Sequence, residues 1–256
     1  MANPMFCVGV LAEATYTATS TNSSFPLSNL STYVPTDLWK SNANTSPQYL
    51  MIDYGSAVSR NYALFHQHNL NSMTTVSLQA ADSADYLTNL VTVVADIKTA
   101  TDPVLFTFGA VTKRYWRINY ANTGANIPQM GQVFINTLFT SSFAPDFPAR
   151  VSNEDFEATT EKVTLSGLIR TASPYGGRIV HEMGWSNIDS AWASGMQRVV
   201  QKVAGKRFPC YYWDHNGVAW YGHFGENYNP LDLFRAGINN FRMKFRTQGV
   251  NQNPLA

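Results

Sequence analysis

Residues 177–226 constrain the fold of this chain most, because they read as strand, helix, strand, turn and strand in direct succession. The mixed segment Arg178–Trp185 predicts a short strand. Ser186 is the expected helix N-cap, with Asp189 in the first turn, where the helix dipole favours negative charge. A helix is predicted at about 188–204, because apolar side chains recur there at helical spacing, and Gly205 is its expected stop.

The residues after this helix predict an aromatic β-hairpin. Residues 208–213 are rich in aromatic side chains, and residues 218–224 are the expected partner strand. Between them, Asn216 and Gly217 are expected to take positive φ at both central turn positions. The stretch therefore predicts a helix packed on an antiparallel sheet. The predicted core residues of this region are Ile188, Trp192, Val199, Trp213 and Trp220.

The first half of the chain shows short segments of alternating polarity separated by Gly, Pro and Asn. The clearest run from Tyr49 to Tyr54 and from Lys113 to Tyr120. Further strands are predicted at 5–12, 61–69, 75–80, 90–97, 104–108 and 132–138. Short strands in this number, with turns between them, predict a β-sandwich.

The composition narrows the classes of function. The chain has 256 residues, which suits two domains of ordinary size. Its net charge is +1 and 14% of its residues are charged, so it has no basic footprint for nucleic acid. No apolar run approaches the ~20 residues that span a bilayer, so no membrane insertion is expected. The first residues lack a basic segment before a full apolar core, so no signal peptide is expected.

Two cysteines, Cys7 and Cys210, lie far apart in the sequence, each in an apolar or aromatic strand segment. Nothing in the sequence indicates an oxidising compartment, so both are predicted to be buried free thiols.

The second half divides from the first at residues 141–150, which hold two prolines without periodicity and are the predicted linker. Residues 161–171 alternate and predict a strand. Residues 240–249 alternate again, with Arg242, Lys244 and Arg246 on the outer face of a half-buried last strand. This cationic face is either an ordinary solvated face or an interface with a neighbouring subunit. The predicted domains are 1–140 and 151–256.

An ordered set of short motifs in residues 5–140 resembles a known family. The set consists of Asn29-Leu30, Trp39-Lys40-Ser41, Asp53-Tyr54-Gly55, His68-Asn69-Leu70, residues 76–80 and Tyr115-Trp116-Arg117-Ile118. It resembles the discoidin-like, galactose-binding-type jelly roll. The resemblance implies glycan binding through loops at one end, with Tyr33, Trp39 and Tyr49 as candidate stacking faces. Trp39 and Trp116 are alternatively core residues of the jelly roll.

The order of elements in residues 150–250 resembles the tail-tube-like fold of minor tail and tail-tip proteins of long-tailed bacteriophages. The resemblance implies a structural subunit that forms a ring, expected as a hexamer, and continues the tail tube. Its partners would be tail tube, hub and fibre proteins, with a host surface glycan as a further ligand of the jelly roll. Its location would be the virion tail, after assembly in the host cytoplasm. The fold class expected is mainly β, with an N-terminal jelly roll and a C-terminal antiparallel β-sandwich carrying one α-helix.

Catalytic constellations are not evident in the sequence. His66 and His68 would share a strand face and bring two metal ligands together, but a third ligand is lacking. Asp214, His215 and His223 are explained by turn chemistry. We therefore expect no enzyme, no cofactor and no metal. The hypotheses carried forward are a phage tail structural subunit, a carbohydrate-binding protein and, third, a glycan-degrading β-sandwich enzyme.

Overall fold

The computed structural model describes residues 3–9, 11–34, 36–141, 150–154, 160–163, 169–172, 178–186, 188–203, 207–214, 216–225 and 241–247. Its strands in chain order are β1 (Met5–Cys7), β2 (Thr15–Ala18), β3 (Trp39–Lys40), β4 (Gln48–His66), β5 (Thr75–Ala81), β6 (Val91–Val94), β7 (Val104–Asn122), β8 (Gln129–Met130), β9 (Gln132–Asn136), β10 (Phe139–Thr140), β11 (Arg150–Glu154), β12 (Thr160–Val163), β13 (Ile169–Ala172), β14 (Arg178–Trp185), β15 (Cys210–Trp213), β16 (Ala219–Phe224) and β17 (Phe241–Thr247). Its helices are α1 (Ser190–Lys202) and three short 3-10 helices at Leu11–Glu13, Leu27–Ser31 and Leu70–Ser72.

The prediction of a mainly β protein is confirmed, since antiparallel strands dominate the described residues and α1 is their single α-helix. The chain forms two compact units. Gly9–Leu138 is called the sandwich unit, and Met1–Val8 with Phe139–Ala256 is called the helix unit. Within the described ranges, neither α1 nor the short helices have the length and apolarity that a membrane span requires.

The sandwich unit is organised around two long strands of 19 residues each, β4 and β7. The strand order is β2-β4-β7-β5-β6, and β9 pairs with the second half of β4. The register between β4 and β7 shifts between Asp53 and Val58 and again between Arg60 and Tyr62, which divides the pairing into three segments. The sequence predicted four separate strands at 49–54, 61–69, 104–108 and 113–120. In the structure the first two segments belong to β4 and the last two to β7. Each strand continues through its change of register without a turn.

The core of the sandwich unit contains the inward members of the alternating segments. Leu50, Ile52, Trp116 and Ile118 are at most 1% exposed. Their neighbours at odd positions point to the opposite face of the sheet, because successive side chains in a strand alternate. That opposite face carries the polar side chains described below.

The helix unit contains a seven-stranded sheet with the order β10-β1-β15-β16-β17-β14-β11. Helix α1 packs on one face of it, against Phe6, Tyr212, Phe241 and Phe245. A helix thus covers the face that a second sheet would cover in a sandwich. Strands β12 and β13 pair with each other, whereas the sequence predicted one strand at 161–171.

The N-cap of helix α1 lies three residues later than predicted. Asp189, and not Ser186, is its N-cap: the Asp189 side chain accepts the Trp192 backbone N–H at 2.7 Å. Ile188 therefore precedes the helix, although it is buried at 3% exposure. The predicted stop at Gly205 lies outside the described residues.

The aromatic hairpin forms between β15 and β16, but with a different turn. Gly217 has a φ of +79°, while Asn216 is not in the positive-φ region. The Asp214 Oδ1 atom accepts the N–H groups of Asn216 and Val218, both at 2.9 Å, and Trp220 donates to Oδ2 at 3.1 Å. The expected two-residue turn is replaced by a turn with one glycine in the left-handed region at its end. The Asp214 side chain stabilises this turn by accepting backbone N–H groups from within it.

The division of the chain differs from the predicted 1–140, 141–150 and 151–256. Strand β1 pairs with β10 and β15 of the helix unit, with Phe6 opposite both Phe139 and Tyr212. The sandwich unit is therefore an insertion between β1 and β10. Ser141 belongs to the helix unit, where its N–H donates to Pro4. Most of the predicted linker, residues 142–149, lies outside the described residues.

The two cysteines are buried and free, as predicted. Burial raises the pKa of both thiols, which keeps them protonated and unreactive.

Candidate functional site

The outward face of the sheet in the sandwich unit brings polar and aromatic side chains into a regular grid. Register places side chains of β4, β7 and β5 side by side in three rows. The rows are Tyr49, Asn119 and Ser77; Met51, Arg117 and Gln79; and Asp53, Tyr115 and Ala81. Arg117 lies at the centre of this grid, which we call the Arg117 face. All nine side chains point away from the core because they alternate with Leu50, Ile52, Trp116 and Ile118.

The Arg117 guanidinium is held over two aromatic rings. Its central carbon lies 4.6 Å from the ring centre of Tyr49 and 4.3 Å from that of Tyr86. Such cation–π contacts are favourable because the ring faces carry negative electrostatic potential. Tyr86 is itself fixed, because its hydroxyl donates to the backbone carbonyl of Trp116. Burial raises the pKa of Tyr86, so the ring is neutral under all ordinary conditions.

A hydrogen bond fixes the orientation of the same guanidinium. The Arg117 Nε donates to the Gln79 Oε1 at 2.7 Å. Among the described residues, the two terminal nitrogens of Arg117 have no hydrogen-bond partner. The arginine thus presents up to four further N–H donors in a fixed plane at a half-buried position.

Asn119 adds an amide side chain to the grid. Its Oδ1 is buried and has no hydrogen-bond partner among the described residues. An unpaired buried carbonyl oxygen is costly, so such an atom in a native fold calls for a partner. Asn119 lies directly opposite Tyr49 in the register.

The charges next to Arg117 are already paired. Arg114 donates to both oxygens of Asp53, at 2.7 and 2.9 Å. These hydrogen bonds hold the pKa of Asp53 below its usual range. Lys113 and Asp82 form a second ion pair at 2.7 Å. Asp53 and Asp82 are therefore each paired with another basic side chain, and neither of them balances the charge of Arg117.

The edge strand β2 extends the face with hydroxyl groups. Thr15 lies opposite Asp53 and Thr17 opposite Met51, and both threonines are exposed. The Thr19 hydroxyl accepts the backbone N–H of Tyr49 at 2.9 Å. The face therefore combines an aromatic ring, a guanidinium, amides and hydroxyls within a few strand spacings.

The three predicted stacking residues contact different parts of the sandwich unit. Trp39 is fully buried in the core, and its indole N–H faces the Thr21 hydroxyl at 3.3 Å. The alternative prediction of a core residue is therefore confirmed for Trp39, and its role as a stacking face is corrected. Tyr33 is half-buried, and its hydroxyl accepts the backbone N–H of Leu11 at 3.2 Å. Tyr49 is the one of the three that lies on the Arg117 face.

A polar cavity in the same unit is too small for a sugar. Arg60 is 4% exposed, lies 3.6 Å from the ring centre of Tyr54 and donates to the carbonyl of Ile135. The space beside it measures about 10 Å³, which is enough for about one water molecule. This arginine therefore ties β4 to β9, and it is not open to a ligand of sugar size.

The predicted cationic strand is present as β17, in the interior of the sheet of the helix unit. Arg242 and Arg246 are exposed on its outer face. Lys244 is paired with Glu182 at 2.9 Å on the neighbouring strand β14. Lys244 is thus engaged within the chain.

The residues predicted to form the core are buried or half-buried. Trp116 is 0% exposed, Trp192 and Val199 are each 2% exposed, and Trp213 is 8% exposed. Trp220 is half-buried and packs against the same cluster as Trp192.

The two histidines considered as metal ligands lie near a carboxylate. Burial lowers the pKa of both His66 and His68, and this effect is larger than that of Asp102, which raises both pKa values. In the described part of the chain, no three His, Cys, Asp or Glu side chains come together in a way that could hold a metal ion.

Arg117, Gln79 and Tyr86 are functional candidates that the sequence alone did not single out. Arg117 alternates with Trp116 and Ile118, which places it on the outward face of its strand. Its neighbours come from β4, β5 and the loop before β6, and their register is not readable from one segment. Tyr86 has a φ of +60° in a polar loop, for which the sequence offers no pattern.

No family model and no curated protein matches this chain. Among solved structures, chitosan-binding module 1 from a chitosanase/glucanase of Paenibacillus sp. IK-5 is 19% identical with a TM-score of 0.44, covering 50% of this chain and 97% of that chain. The family 32 carbohydrate-binding module of C. perfringens NanJ, in complex with galactose, is 16% identical with a TM-score of 0.43, covering 53% and 99%. The family 32 module of AlyQ, in complex with 4,5-unsaturated mannuronic acid, is 26% identical with a TM-score of 0.36, covering 47% and 92%.

These neighbours are carbohydrate-binding modules of the discoidin-like jelly-roll type, and nothing in them supports the resemblance to phage tail proteins. Because all three TM-scores lie below 0.5, what these modules bind is a property of those modules alone.

Proposed function

We propose that the sandwich unit binds carbohydrate on the Arg117 face. The observation that carries this proposal is the fixed stack of Arg117 over Tyr49 and Tyr86. A sugar ring has an apolar C–H face and a rim of hydroxyls. It is matched by a half-exposed aromatic ring with planar polar groups beside it.

The groups of the face are already in position before a ligand arrives. Arg117 is held by two rings and by Gln79, and Tyr49 lies on a strand that is paired on both sides. Side chains that are ordered in the free protein lose less entropy when a ligand binds, which favours affinity.

A glycan array on the purified protein, followed by titration calorimetry with the best ligand, tests the proposal. Tyr49→Ala is expected to weaken binding at least tenfold, since it removes the stacking ring. Tyr33→Ala is the matched control, because Tyr33 is also half-buried but lies away from the Arg117 face. We expect its affinity to equal that of the wild type, with both variants melting cooperatively.

A glycan that binds Tyr49→Ala as tightly as the wild type would overturn the placement of the site on this face. An array on which the wild type retains no glycan would overturn the function itself.

A second candidate function is that of a structural subunit at the tail tip of a long-tailed bacteriophage, with the jelly roll as its glycan-binding or adaptor domain. It rests on the resemblance in residues 150–250, and two observations are compatible with it. The sandwich unit is inserted between paired strands β1 and β10, so the helix unit is a continuous sheet domain that carries a second domain. Arg242 and Arg246 form an exposed cationic pair in the middle of that sheet.

Light scattering and negative-stain imaging across a concentration series test this assembly. Rings or stacked tubes are expected, and Arg242→Glu with Arg246→Glu should abolish them. Exposed Arg198 on α1 offers the control, since Arg198→Glu changes charge away from β17. A wild-type protein that is monomeric at every concentration, with and without phage tail tube protein, would contradict the assembly.

A further inference from the structure

We infer that Arg117 makes the Arg117 face a receptor for an acidic sugar, one whose carboxylate is bound by the terminal nitrogens of this arginine. The inference rests on the proposed function, because it assigns a ligand class to the same face. It adds a charge requirement that aromatic stacking alone does not have.

The first argument is the geometry of the guanidinium. Its Nε is occupied by Gln79 at 2.7 Å, and its plane lies over the rings of Tyr49 and Tyr86. The donors that remain are those of the two terminal nitrogens, which lie together at one edge of the plane. Two parallel N–H groups at one edge match the two oxygens of a carboxylate, which is how arginine recognises carboxylates with two hydrogen bonds.

The second argument is the charge balance around Arg117. Its neighbours in the grid are neutral: Met51 and Gln79 lie directly across, and Asn119 and Tyr115 lie along its own strand. The nearby acids have basic partners, Asp53 with Arg114 and Asp82 with Lys113. A half-buried cation without a counter-ion attracts an anionic ligand more strongly than a fully solvated one, because solvent screens it less.

The third argument is the stacking ring next to this charge. The Arg117 guanidinium carbon lies 4.6 Å from the ring centre of Tyr49, so the aromatic ring and the positive charge are neighbours on the same face. A sugar acid bound at the exposed part of this ring therefore lies within reach of the charge of Arg117. A neutral sugar gains the contact with the ring alone.

Calorimetry with matched pairs of oligosaccharides tests the inference on the full chain. Oligogalacturonate is compared with oligogalactose, and oligoglucuronate with oligoglucose. We expect the acidic member of at least one pair to bind 10- to 100-fold more tightly, as charge-assisted hydrogen bonds allow. Raising the salt concentration should weaken binding of the acid and leave the neutral sugar unaffected.

Variants of the arginine separate charge from folding. Arg117→Gln should remove the preference for the acidic sugar, so that the acidic and the neutral member of each pair bind with affinities within about threefold of each other. Arg117→Lys keeps the charge but loses the planar fork, so it should retain part of the preference. Gln79→Met removes the acceptor that orients Arg117, and it should weaken acid binding while the thermal midpoint stays near that of the wild type. Arg198→Gln in the helix unit is the charge-matched control.

The outcomes distinguish failure of this inference from failure of the proposed carbohydrate binding. If both members of each pair bind with equal affinity and Tyr49→Ala loses sugar binding, the acidic specificity is overturned and the proposed carbohydrate binding stands. Tighter binding of a sulfated sugar than of the uronate overturns the choice of a carboxylate. Absence of binding to every sugar overturns both.

Discussion

Phe6 and Phe139 face each other in one sheet, with ring centres 6.2 Å apart, although the whole sandwich unit lies between them in the sequence. Phe6 also stacks on Tyr212 at 5.2 Å, which fixes β1 in the core of the helix unit. The chain therefore leaves this sheet after β1 and returns to it at β10, the strand next to β1. Insertions whose two ends are close together disturb the host domain little.

Removing residues 9–138 and joining Val8 to Phe139 through a short Gly/Ser turn is expected to leave the helix unit folded. The physical reason is that β1 and β10 are antiparallel neighbours, so a hairpin turn can replace the insertion. The measurement is a thermal melt by circular dichroism together with near-ultraviolet spectra of the Trp192 environment. A non-cooperative melt of the deletion variant, with a cooperative melt of the full chain, would contradict this prediction.

The insertion of the sandwich unit between β1 and β10 could not be predicted from the sequence. Strand β1 is three residues long, and its apolar pattern predicts a strand without naming the partner. Its partners β10 and β15 lie far along the chain, and pairing over such separations is decided by packing of the whole sheet. The strands with clear alternation, at 49–54, 113–120 and 240–249, were by contrast placed correctly. Their period of two is a local property.

Trp192 is the single aromatic residue of α1, and its removal is expected to be costly. It is 2% exposed, its ring centre lies 5.3 Å from that of Trp185 and 5.4 Å from that of Phe241, and its indole N–H donates to Ser141 at 3.0 Å. Trp192→Ala should lower the free energy of unfolding by about 3–5 kcal/mol, because it leaves a large cavity. Ser141→Ala should cost about 1–3 kcal/mol, since it leaves the buried indole N–H without its acceptor.

Urea denaturation of these two variants and of Trp192→Phe is the measurement. Trp192→Phe is the informative control, because it keeps most of the ring volume and loses the same hydrogen bond. A midpoint for Trp192→Ala equal to that of the wild type would contradict the packing of α1 on this sheet.

Gly195 permits the close approach of α1 to β10. A Cβ at this position would lie 2.8 Å from the Phe139 Cδ2 and closer still to Cε2. Gly195→Ala raises helix propensity by about 1 kcal/mol but forces this overlap, which costs about 1–3 kcal/mol. We therefore expect a net loss of stability from a substitution that stabilises most helices.

Ser194→Ala in the same helix is the matched control for Gly195→Ala, because Ser194 is exposed. Differential scanning calorimetry should show a higher midpoint for the control and a lower one for Gly195→Ala. A higher midpoint for both would mean that Phe139 moves aside without cost.

Of the three residues that the jelly-roll resemblance offered as stacking faces, Tyr49 lies on the Arg117 face, in a strand and not in a loop. Trp39 was selected from the same resemblance, but a large aromatic side chain on a two-residue strand between core segments packs inward, and here it is fully buried. The grid around Arg117 depends on the register of β4, β7 and β5, which is set by the fold as a whole and not by any one segment.

The stability of the sandwich unit is expected to fall as the pH drops below about 6.5. Burial lowers the pKa of His66, which is 5% exposed, and of His68, below the ordinary value of 6.5. The neutral ring of His68 suits its surroundings, since Nδ1 accepts the Leu70 N–H at 3.4 Å while Nε2 faces the Thr101 carbonyl at 3.1 Å. Below pH 6.5 the unfolded chain binds protons that the folded chain resists, so acid favours unfolding until the lowered pKa values are reached. Each histidine contributes at most about 1.4 kcal/mol per pH unit in that window.

Urea midpoints at pH 7.5 and pH 5.5 measure this effect, and the variant His66→Gln with His68→Gln isolates it from the other histidines of the chain. The wild type should lose more stability between the two pH values than the double variant does. Equal losses in the two proteins would place the acid sensitivity elsewhere. A wild type that is more stable at pH 5.5 would show that Asp102 stabilises the protonated rings more strongly than burial destabilises them, with folded-state pKa values above 6.5.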